Sequence, residues 1–241
     1  MASILYKGKT EFNGYISYWS DPPAPIEPEP WNPSLISTAL WLDASVPTSI
    51  TLDSGAVSQW DDLSGNNRHV TQSTSTKRPT YTDQFSVDFD GVNDELRGAS
   101  ASTGFFIAVI TPFGYQSFGA SLGFTSRHGV IRDDISNVWY HSTASLFPSS
   151  TARRNGQLSL LLADVRAIFS NGGTATSVAI SLGKDDAGAN FAACNIHEVV
   201  LTANDPSTGD RQKLEGYLAH KWGLTGGLAS DHPYKTSYPL F

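Results

Sequence analysis

The sequence predicts an all-β, antiparallel two-sheet sandwich with one C-terminal amphipathic helix and an extended N-terminal arm. Three observations predict it. Most of the chain divides into short apolar or alternating runs of strand length, turn-forming residues bound these runs, and one helical apolar stripe occurs near the end. Alternating strand and helix patterns are missing, so an antiparallel sandwich or barrel is favoured over a parallel sheet.

The first 21 residues are predicted to be an anchoring arm. They are rich in aromatic residues but too few to bury a core of their own. Residues 22–33 follow with six of the 13 prolines. Because proline fixes φ and lacks a backbone donor, this stretch is expected to form an extended, semi-rigid strut. The remaining residues, 34–241, are predicted to form the sandwich.

The aromatic residues of the arm and strut are candidate contacts to a partner subunit. An extended segment can add to a neighbour's sheet or lie in its groove, and its aromatic side chains then fill pockets. The alternative is a loose extension without a partner. The candidate contacts are Phe12, Tyr15, Tyr18, Trp19 and Trp31.

Seven strands are predicted in the sandwich. They cover residues 39–42, 85–89, 104–110, 158–162, 167–169, 177–181 and 196–201. Turn formers separate them, at residues 64–67, 90–91, 155–156, 171–173 and 183–188. The Asn-Gly and Asp-Gly pairs among these suit tight hairpins, whose central residues need positive φ.

A helix is predicted from Ser207 to Trp222. Ser207 is suited to the N-cap, Asp210 lies in the first turn, and Gly223 ends the pattern. An apolar stripe consists of Leu214, Tyr217, Leu218 and Trp222. The predicted polar faces carry Arg211, Lys213, His220 and Lys221. Three tryptophans are assigned to the core: Trp41, Trp60 and Trp222.

Composition excludes several function classes. The chain has 16 Lys and Arg against 23 Asp and Glu, a net charge of −7, which argues against a nucleic-acid partner. The single Cys194 excludes a disulfide scaffold. No apolar run is long enough for a membrane helix, and residues 1–16 lack the apolar core of a signal peptide. Synthesis in the cytoplasm and no membrane partner are therefore expected.

Several stretches carry a family resemblance. They are LWLDAS at 40–45, VSQWDDLSGNN at 57–67, RPTY at 78–81, VDFDGVND at 87–94, RQKLEGYLAHKWGL at 211–224 and HPY at 232–234. The chain resembles the laminin-G/concanavalin-A-like jelly-roll domain of bacteriophage virion proteins and of bacterial surface and secreted proteins, over roughly residues 34–235. The resemblance implies a jelly-roll sandwich and an association with glycan or protein binding, but no particular chemistry.

A hydrolase motif is not found, so no catalytic residue is predicted. The related glucanases carry a Glu-x-Asp-x-x-Glu-like strand, whose carboxylates face one way. In this chain Asp88 and Asp90 are two apart, but a Gly follows at once and no third acid continues the strand. The pairs at 133–134 and 185–186 are adjacent, so on a strand they face opposite sides.

No cofactor is predicted, although a Ca²⁺ site is considered. The oxygen ligands would come from Asp61, Asp62, Asp90, Asn93 and Asp94. No EF-hand spacing occurs, and Asp and Asn also serve as turn residues that bind their own backbone. The six histidines are dispersed without metal-ligand spacing, so no metal site is assigned.

One aromatic and basic stretch is a candidate glycan or partner face. It comprises Arg127, His128, Arg132, Trp139, Tyr140 and His141. Aromatic rings and Arg are enriched where interfaces gain most of their energy. The alternative is that alternating members of this stretch fill the core.

Three functional hypotheses follow. The first is a non-enzymatic virion structural protein, a capsid decoration or fibre-type component. Its arm would bind other virion proteins, such as major capsid or tail subunits, and its jelly roll would face outward. Homo-oligomerisation is expected with it, and a cell-surface glycan is a further candidate partner. The alternative is a lectin-like, glycan-binding module of a bacterial surface or secreted protein. The third is a glycoside hydrolase or lyase.

Overall fold

Strands dominate the chain, and an α-helix follows them near the C-terminus. The structure, a computed structural model, describes residues 8–12, 15–19, 29–113, 120–124, 127–132, 151–159, 166–185 and 190–241. The strands are β1 Gly8–Phe12, β2 Tyr15–Trp19, β3 Thr38–Asp43, β4 Ile50–Asp53, β5 Ala56–Trp60, β6 Val70–Thr71, β7 Thr80–Thr82, β8 Ser86–Asp90, β9 Leu96–Pro112, β10 Ala120–Phe124, β11 Arg127–Arg132, β12 Arg153–Arg154, β13 Gln157–Leu158, β14 Ala167–Leu182 and β15 Ala193–Thr202. The helix α1 is Thr208–Lys221.

The chain divides into two compact units. The first, the arm unit, comprises Met1–Glu29 with Leu240–Phe241, and the second, the head, comprises Pro30–Pro239. Within the arm unit β1 and β2 pair as an antiparallel hairpin, in register from Gly8 opposite Trp19 to Phe12 opposite Tyr15. The predicted arm therefore contains regular structure, although a lone two-stranded hairpin is at best marginally stable in water.

All the strand pairs described in the head are antiparallel. The long β9 pairs with β14, β6 and β15, and β15 also pairs with β3 and β8. Because β6, β5, β7 and β8 connect in that order, β9 and β15 close a ring of six strands. The head is thus a sandwich or barrel-like β structure with a C-terminal helix, as the sequence predicts at this level.

Two apolar cores lie on opposite faces of β9. Alternate side chains of a strand point to opposite sides, so Phe106, Ala108 and Ile110 fill the core between the strands. On the other face the side chains pack beneath α1, and they include Phe105, Ile107 and Val109. Burial on both faces explains why residues 104–110 form a continuous apolar run.

One predicted turn is wrong. Residues 171–173, Asn-Gly-Gly, lie within β14, so the predicted strands 167–169 and 177–181 are one strand paired with β9. A register shift between Gly172 and Thr176 absorbs the irregular residues. A Cβ on Gly172 would stand 2.2 Å from Asp205 Oδ1, so the glycine is needed for close packing rather than for a turn.

The end of the predicted strut belongs to the head. Asn32 caps a 3₁₀ turn at Pro33–Leu35, its Oδ1 accepting the Ser34 N–H at 3.0 Å. The Trp31 side chain is 2% exposed and packs in the core beneath α1. The Trp31 N–H also donates to the Pro239 carbonyl at 3.0 Å. Residues 20–28 of the predicted arm and strut lie outside the described residues.

The helix prediction is confirmed at both ends. Ser207 is the N-cap, its Oγ accepting the Asp210 N–H at 3.1 Å, and Trp222 is the C-cap. The predicted stripe residues Leu214, Tyr217 and Leu218 are buried. Within the described residues, no helix combines the length and the apolar character that crossing a membrane requires.

Candidate functional site

A β-bulge in β15 places an acidic side chain beneath α1. The pairing of β15 with β9 shifts register between Ile196 and Glu198. Ile196 and Val199 both lie in the core between the strands, three residues apart instead of two, and Glu198 lies on the helix side. Bulges re-aim side chains in this way. Across the ladder, β3 places Asp43 directly opposite Glu198.

Glu198 is completely buried, and four donors surround its carboxylate. Its Oε1 accepts from Trp41 Nε1 at 2.8 Å and from the Tyr217 hydroxyl at 2.9 Å. Its Oε2 accepts from Trp222 Nε1 at 2.8 Å and lies 2.7 Å from Lys221 Nζ. Every lone-pair direction of this carboxylate is thereby engaged, which a buried charge requires.

Lys221 also contacts the second carboxylate. Its Nζ donates to Asp43 Oδ2 and, at 3.0 Å, to the Tyr217 hydroxyl oxygen. The other oxygen, Asp43 Oδ1, accepts from Ser45 N at 2.9 Å and from Ser45 Oγ at 2.7 Å. Two carboxylates that lie opposite each other on neighbouring strands repel, and the ammonium of Lys221 between them offsets that repulsion. We call the following set the Glu198 cluster: Trp41, Asp43, Glu198, Tyr217, Lys221 and Trp222.

The electrostatics of the cluster follow from its burial. Burial raises the pKa of Glu198, the Asp43 carboxylate raises it further, and Lys221 opposes both. Burial and the Glu198 charge also raise the pKa of Tyr217, so its hydroxyl stays protonated and donates to Glu198.

Two converging carboxylates raise the question of hydrolysis. Retaining glycosidases use two carboxyl groups about 5–5.5 Å apart on either side of a bound sugar. In the Glu198 cluster the Asp43 and Glu198 side chains are only 4% and 0% exposed. A polysaccharide cannot reach them, so the arrangement fixes α1 to the sheet and offers no substrate site.

A second buried carboxylate fixes the C-terminal segment to α1. Glu215 Oε1 accepts from the Arg211 guanidinium at 2.7 Å, and its Oε2 lies 3.1 Å from His232 Nε2. His232 Nδ1 accepts the Tyr234 N–H at 3.2 Å, so the ring proton is on Nε2 and is donated to Glu215. The Glu215–His232 pair is also inaccessible to a substrate, because both side chains are nearly fully buried.

His197, at the bulge, has both ring nitrogens paired. Its Nδ1 lies 3.2 Å from the Phe85 carbonyl oxygen, and its Nε2 lies 3.1 Å from the Thr111 hydroxyl. A carbonyl can only accept, so the neutral ring carries its proton on Nδ1 and accepts from Thr111. Burial lowers the pKa of His197 to about 4, and the Arg166 guanidinium adds to this effect.

Acidification is expected to destabilise the head through His197. The pKa of His197 is about 4 in the folded chain, below the ordinary value of 6.5. Between about pH 6.5 and pH 4 the unfolded chain therefore binds a proton at this ring that the folded chain does not bind. The contribution of His197 to stability is complete above about pH 6.5 and falls by about 3 kcal/mol as the pH drops to about 4. Burial raises the pKa of Asp94 to about 6. Its effect on stability is opposite to that of His197, because the folded chain binds this proton more tightly than the unfolded chain and is stabilised as the pH falls.

Urea unfolding of wild type, His197→Gln and Asp94→Asn between about pH 7.5 and pH 4.5 separates the two contributions. The deficit of His197→Gln relative to wild type should shrink with acidification. Asp94→Asn should lose stability with acid more steeply than wild type. Parallel curves for all three proteins would contradict the assigned protonation states.

An open groove lies beside the N-terminus of α1. Its volume is about 540 Å³. Hydroxyl, amide and carboxylate groups line it together with short aliphatic side chains, and the lining residues are Ser34, Leu35, Ile36, Ser37, Thr202, Asn204, Asp205, Pro206 and Asp210. Burial raises the pKa of Asp205, while Arg211 and Arg153 lower it. We call this cavity the Asp205 groove.

Three of the five residues considered for Ca²⁺, Asp62, Asp90 and Asp94, accept hydrogen bonds from backbone amides. Asp62 accepts the N–H groups of Trp41 at 3.0 Å and Arg68 at 3.0 Å. Asp90 Oδ1 accepts those of Val92 at 2.8 Å and Asn93 at 3.1 Å. These contacts favour the turn interpretation. Among the described residues, no group of three or more acidic, His or Cys side chains is arranged to hold a metal ion.

Most of the predicted partner-binding residues are not described at the side-chain level. In the arm, Phe12, Tyr15, Tyr18 and Trp19 are placed by their backbone in β1 and β2. In the candidate glycan face, Arg127, His128 and Arg132 are placed likewise in β11, and Trp139, Tyr140 and His141 lie outside the described residues. Trp31 is the exception among them: it is a core residue of the head, so its side chain is not available to a partner.

The core assignments of the tryptophans hold in part. Trp60 is fully buried in the core between the strands, whereas Trp41 and Trp222 are half-buried and donate to Glu198. Asp43, Glu198 and Lys221 are not among the residues that the sequence singles out as candidate site residues, yet the structure brings them together in one buried cluster. The sequence places Asp43 at the end of one apolar strand, Glu198 within another and Lys221 at the end of the helix, and no local pattern links the three.

No model of a known protein family matches the chain, and no curated protein matches it either. The resemblance to the laminin-G/concanavalin-A-like domain therefore stays a prediction.

Proposed function

We propose that the protein is a non-enzymatic structural component of a bacteriophage virion, a capsid decoration or fibre-type protein. Its N-terminal arm would bind major capsid or tail subunits, and its head, a jelly roll of the laminin-G/concanavalin-A-like kind, would face outward. The observation that carries the proposal is the division of the chain into an arm unit with its own hairpin and a head. A short hairpin preceding a proline-rich stretch suits attachment, because it gains stability by joining a larger partner.

The burial of the acidic clusters away from solvent supports a non-enzymatic role. The carboxylates of Asp43, Glu198 and Glu215 are all buried and engaged with donors of the same chain. Each joins α1 to the sheet or to the C-terminal segment. A head built in this way gains rigidity from its charged groups, which is what an exposed shell component needs.

The resemblance supports the virion context and a homo-oligomer. Virion proteins are among the proteins that carry this type of jelly roll, and most assemblies of identical chains are symmetric. An arm that binds only the assembled particle would also stabilise the assembled state by mass action. The virion is the location that follows from this proposal.

Deleting residues 1–28 tests the attachment. The shortened protein keeps Trp31 and should retain the unfolding transition of the head, yet it should no longer sediment with particles assembled from the structural proteins encoded beside its gene. The matched control is Asp205→Ala, a change in the head that leaves the arm intact and should sediment like wild type. Unchanged sedimentation of the shortened protein would overturn the proposal.

A lectin-like, glycan-binding module is the second candidate, and the Asp205 groove favours it. Sugar hydroxyls pair well with carboxylate, amide and hydroxyl groups, which Asp205, Asn204 and Thr202 supply there. Retention on an immobilised glycan that is abolished by Asp205→Ala would favour this candidate. No retention of the wild-type protein on a broad glycan array would exclude it.

A further inference from the structure

We propose that Lys221 and Asp43 are joined in the mature protein by an intramolecular amide bond, formed with Glu198 as the proton carrier. The three groups meet in one closed site: Lys221 Nζ donates to Asp43 Oδ2 and lies 2.7 Å from Glu198 Oε2. This inference concerns the head alone and does not depend on the proposed virion role.

The site supplies a base for the nucleophile. An ammonium group cannot attack a carbonyl carbon, so Lys221 must first lose a proton. Glu198 Oε2 is in direct contact with the ammonium, and burial raises the pKa of Glu198, which favours the transfer. The Tyr217 hydroxyl, 2.9 Å from Glu198 Oε1 and 3.0 Å from Lys221 Nζ, holds both groups in place.

The site also supplies donors for the oxygen that becomes negative. Attack on Cγ of Asp43 places charge on Oδ1, which accepts two hydrogen bonds from Ser45, through its backbone N–H and its hydroxyl. Preorganised donors of this kind are a large source of rate acceleration in acyl transfer. The leaving oxygen is then Oδ2, the atom that faces Lys221.

The step balances without an added reactant. The Nζ–Cγ bond forms and the Cγ–Oδ2 bond breaks. Of the three protons on the ammonium, one stays on the amide nitrogen, and two leave with Oδ2 as water, carried by Glu198. Nothing is oxidised or reduced, and Glu198 ends in its starting state.

Burial and fixed geometry favour the product. Amide formation from an acid and an amine is unfavourable in bulk water, but two reactants held in contact act at a very high effective concentration. The indoles of Trp41 and Trp222 cover Glu198, and the Asp43 side chain is 4% exposed. Because bulk water is kept from Asp43 and Glu198, hydrolysis of the amide, the reverse reaction, is disfavoured.

The bond would close a loop over 178 sequence positions and tie β3 covalently to the end of α1. Those are the two elements that the Glu198 cluster already joins. A head linked in this way cannot release its helix without breaking a covalent bond.

Intact-mass measurement of the denatured full-length protein tests the proposal. The expected mass is lower than the sequence mass by one water molecule. Trypsin should fail to cleave after Lys221, and the peptides that contain Asp43 and Lys221 should appear as one branched species. A wild-type mass equal to the sequence mass, with ordinary cleavage after Lys221, would overturn the proposal.

Variants assign the roles of the three groups. Lys221→Arg should have its full sequence mass, whereas the control Lys213→Arg, on the same helix, should still lack one water. Asp43→Asn should lose ammonia in place of water, because the leaving group changes. Glu198→Gln should have its full sequence mass, and a link formed as completely as in wild type would overturn the assignment of Glu198 as proton carrier.

Discussion

Glu198→Ala is expected to lower the free energy of unfolding of the head by about 3–5 kcal/mol, because removing one partner leaves other buried polar groups unpaired. In this site two indole N–H groups and the Tyr217 hydroxyl lose their acceptor at once, and the Lys221 ammonium loses one of its two carboxylate partners. The Lys221–Asp43 contact alone cannot satisfy them. If the amide bond forms, its loss adds to the effect in the same direction.

Urea unfolding followed by far-UV circular dichroism measures this loss. Glu198→Gln keeps the volume and one acceptor oxygen, so it should fall between wild type and Glu198→Ala. The control is Asp53→Ala, which breaks the contact to Arg78 at 2.6 Å at an exposed position and should change stability little. Equal stability of Glu198→Ala and Asp53→Ala would show that the cluster does not hold α1 to the sheet.

Trp31→Ala is expected to lower the free energy of unfolding of the head by about 3–5 kcal/mol, the range for truncating a large buried aromatic side chain. The indole is almost completely buried and meets the Tyr217 ring edge-on with centroids 6.2 Å apart. Its loss leaves a cavity beside α1, at the point where the strut enters the head.

The same unfolding assay compares Trp31→Ala with Phe113→Ala, a truncation of an aromatic side chain that is 45% exposed. The Phe113 variant should lose far less stability, because the side chain that it truncates buries less apolar surface in the folded head. If the two variants were equally stable, Trp31 would not be a core residue, and its predicted role in the arm would regain support.

Local signals in the sequence predicted α1 well. A serine cap, an acidic first turn and a following glycine lie within one stretch of chain, and the structure uses Ser207 as the cap and ends the helix before Gly223. The run at 104–110 predicts a strand, which is confirmed within the longer β9, and the structure adds that this run is buried on both faces.

The Glu198 cluster could not be predicted, because it depends on distant parts of the chain. Asp43 meets Glu198 through strand register, and the bulge after Ile196 turns Glu198 towards the helix. Neither the register nor the bulge has a local signal. The helical position of Lys221 predicts a polar face for the same reason, since it says nothing about the buried acids that Lys221 contacts.

Close packing at Gly172 explains why the turn predicted at residues 171–173 is instead part of strand β14. Asn-Gly-Gly is typical of a turn, but Gly172 is there because the Asp205 side chain packs against the strand at that point. Tertiary packing overrides local turn propensity here, because Asn171 and Gly172 pair with Phe106 and Phe105 of β9.

The division of the chain at Glu29 can be measured by unfolding two shortened proteins, one without residues 1–28 and one without residues 1–33. A head that begins at Pro30 and stabilises itself predicts that the first unfolds at the same urea concentration as the full chain. The second lacks Trp31 and should unfold at a clearly lower concentration. A loss of stability already complete in the first protein, or no loss in the second, would contradict this division.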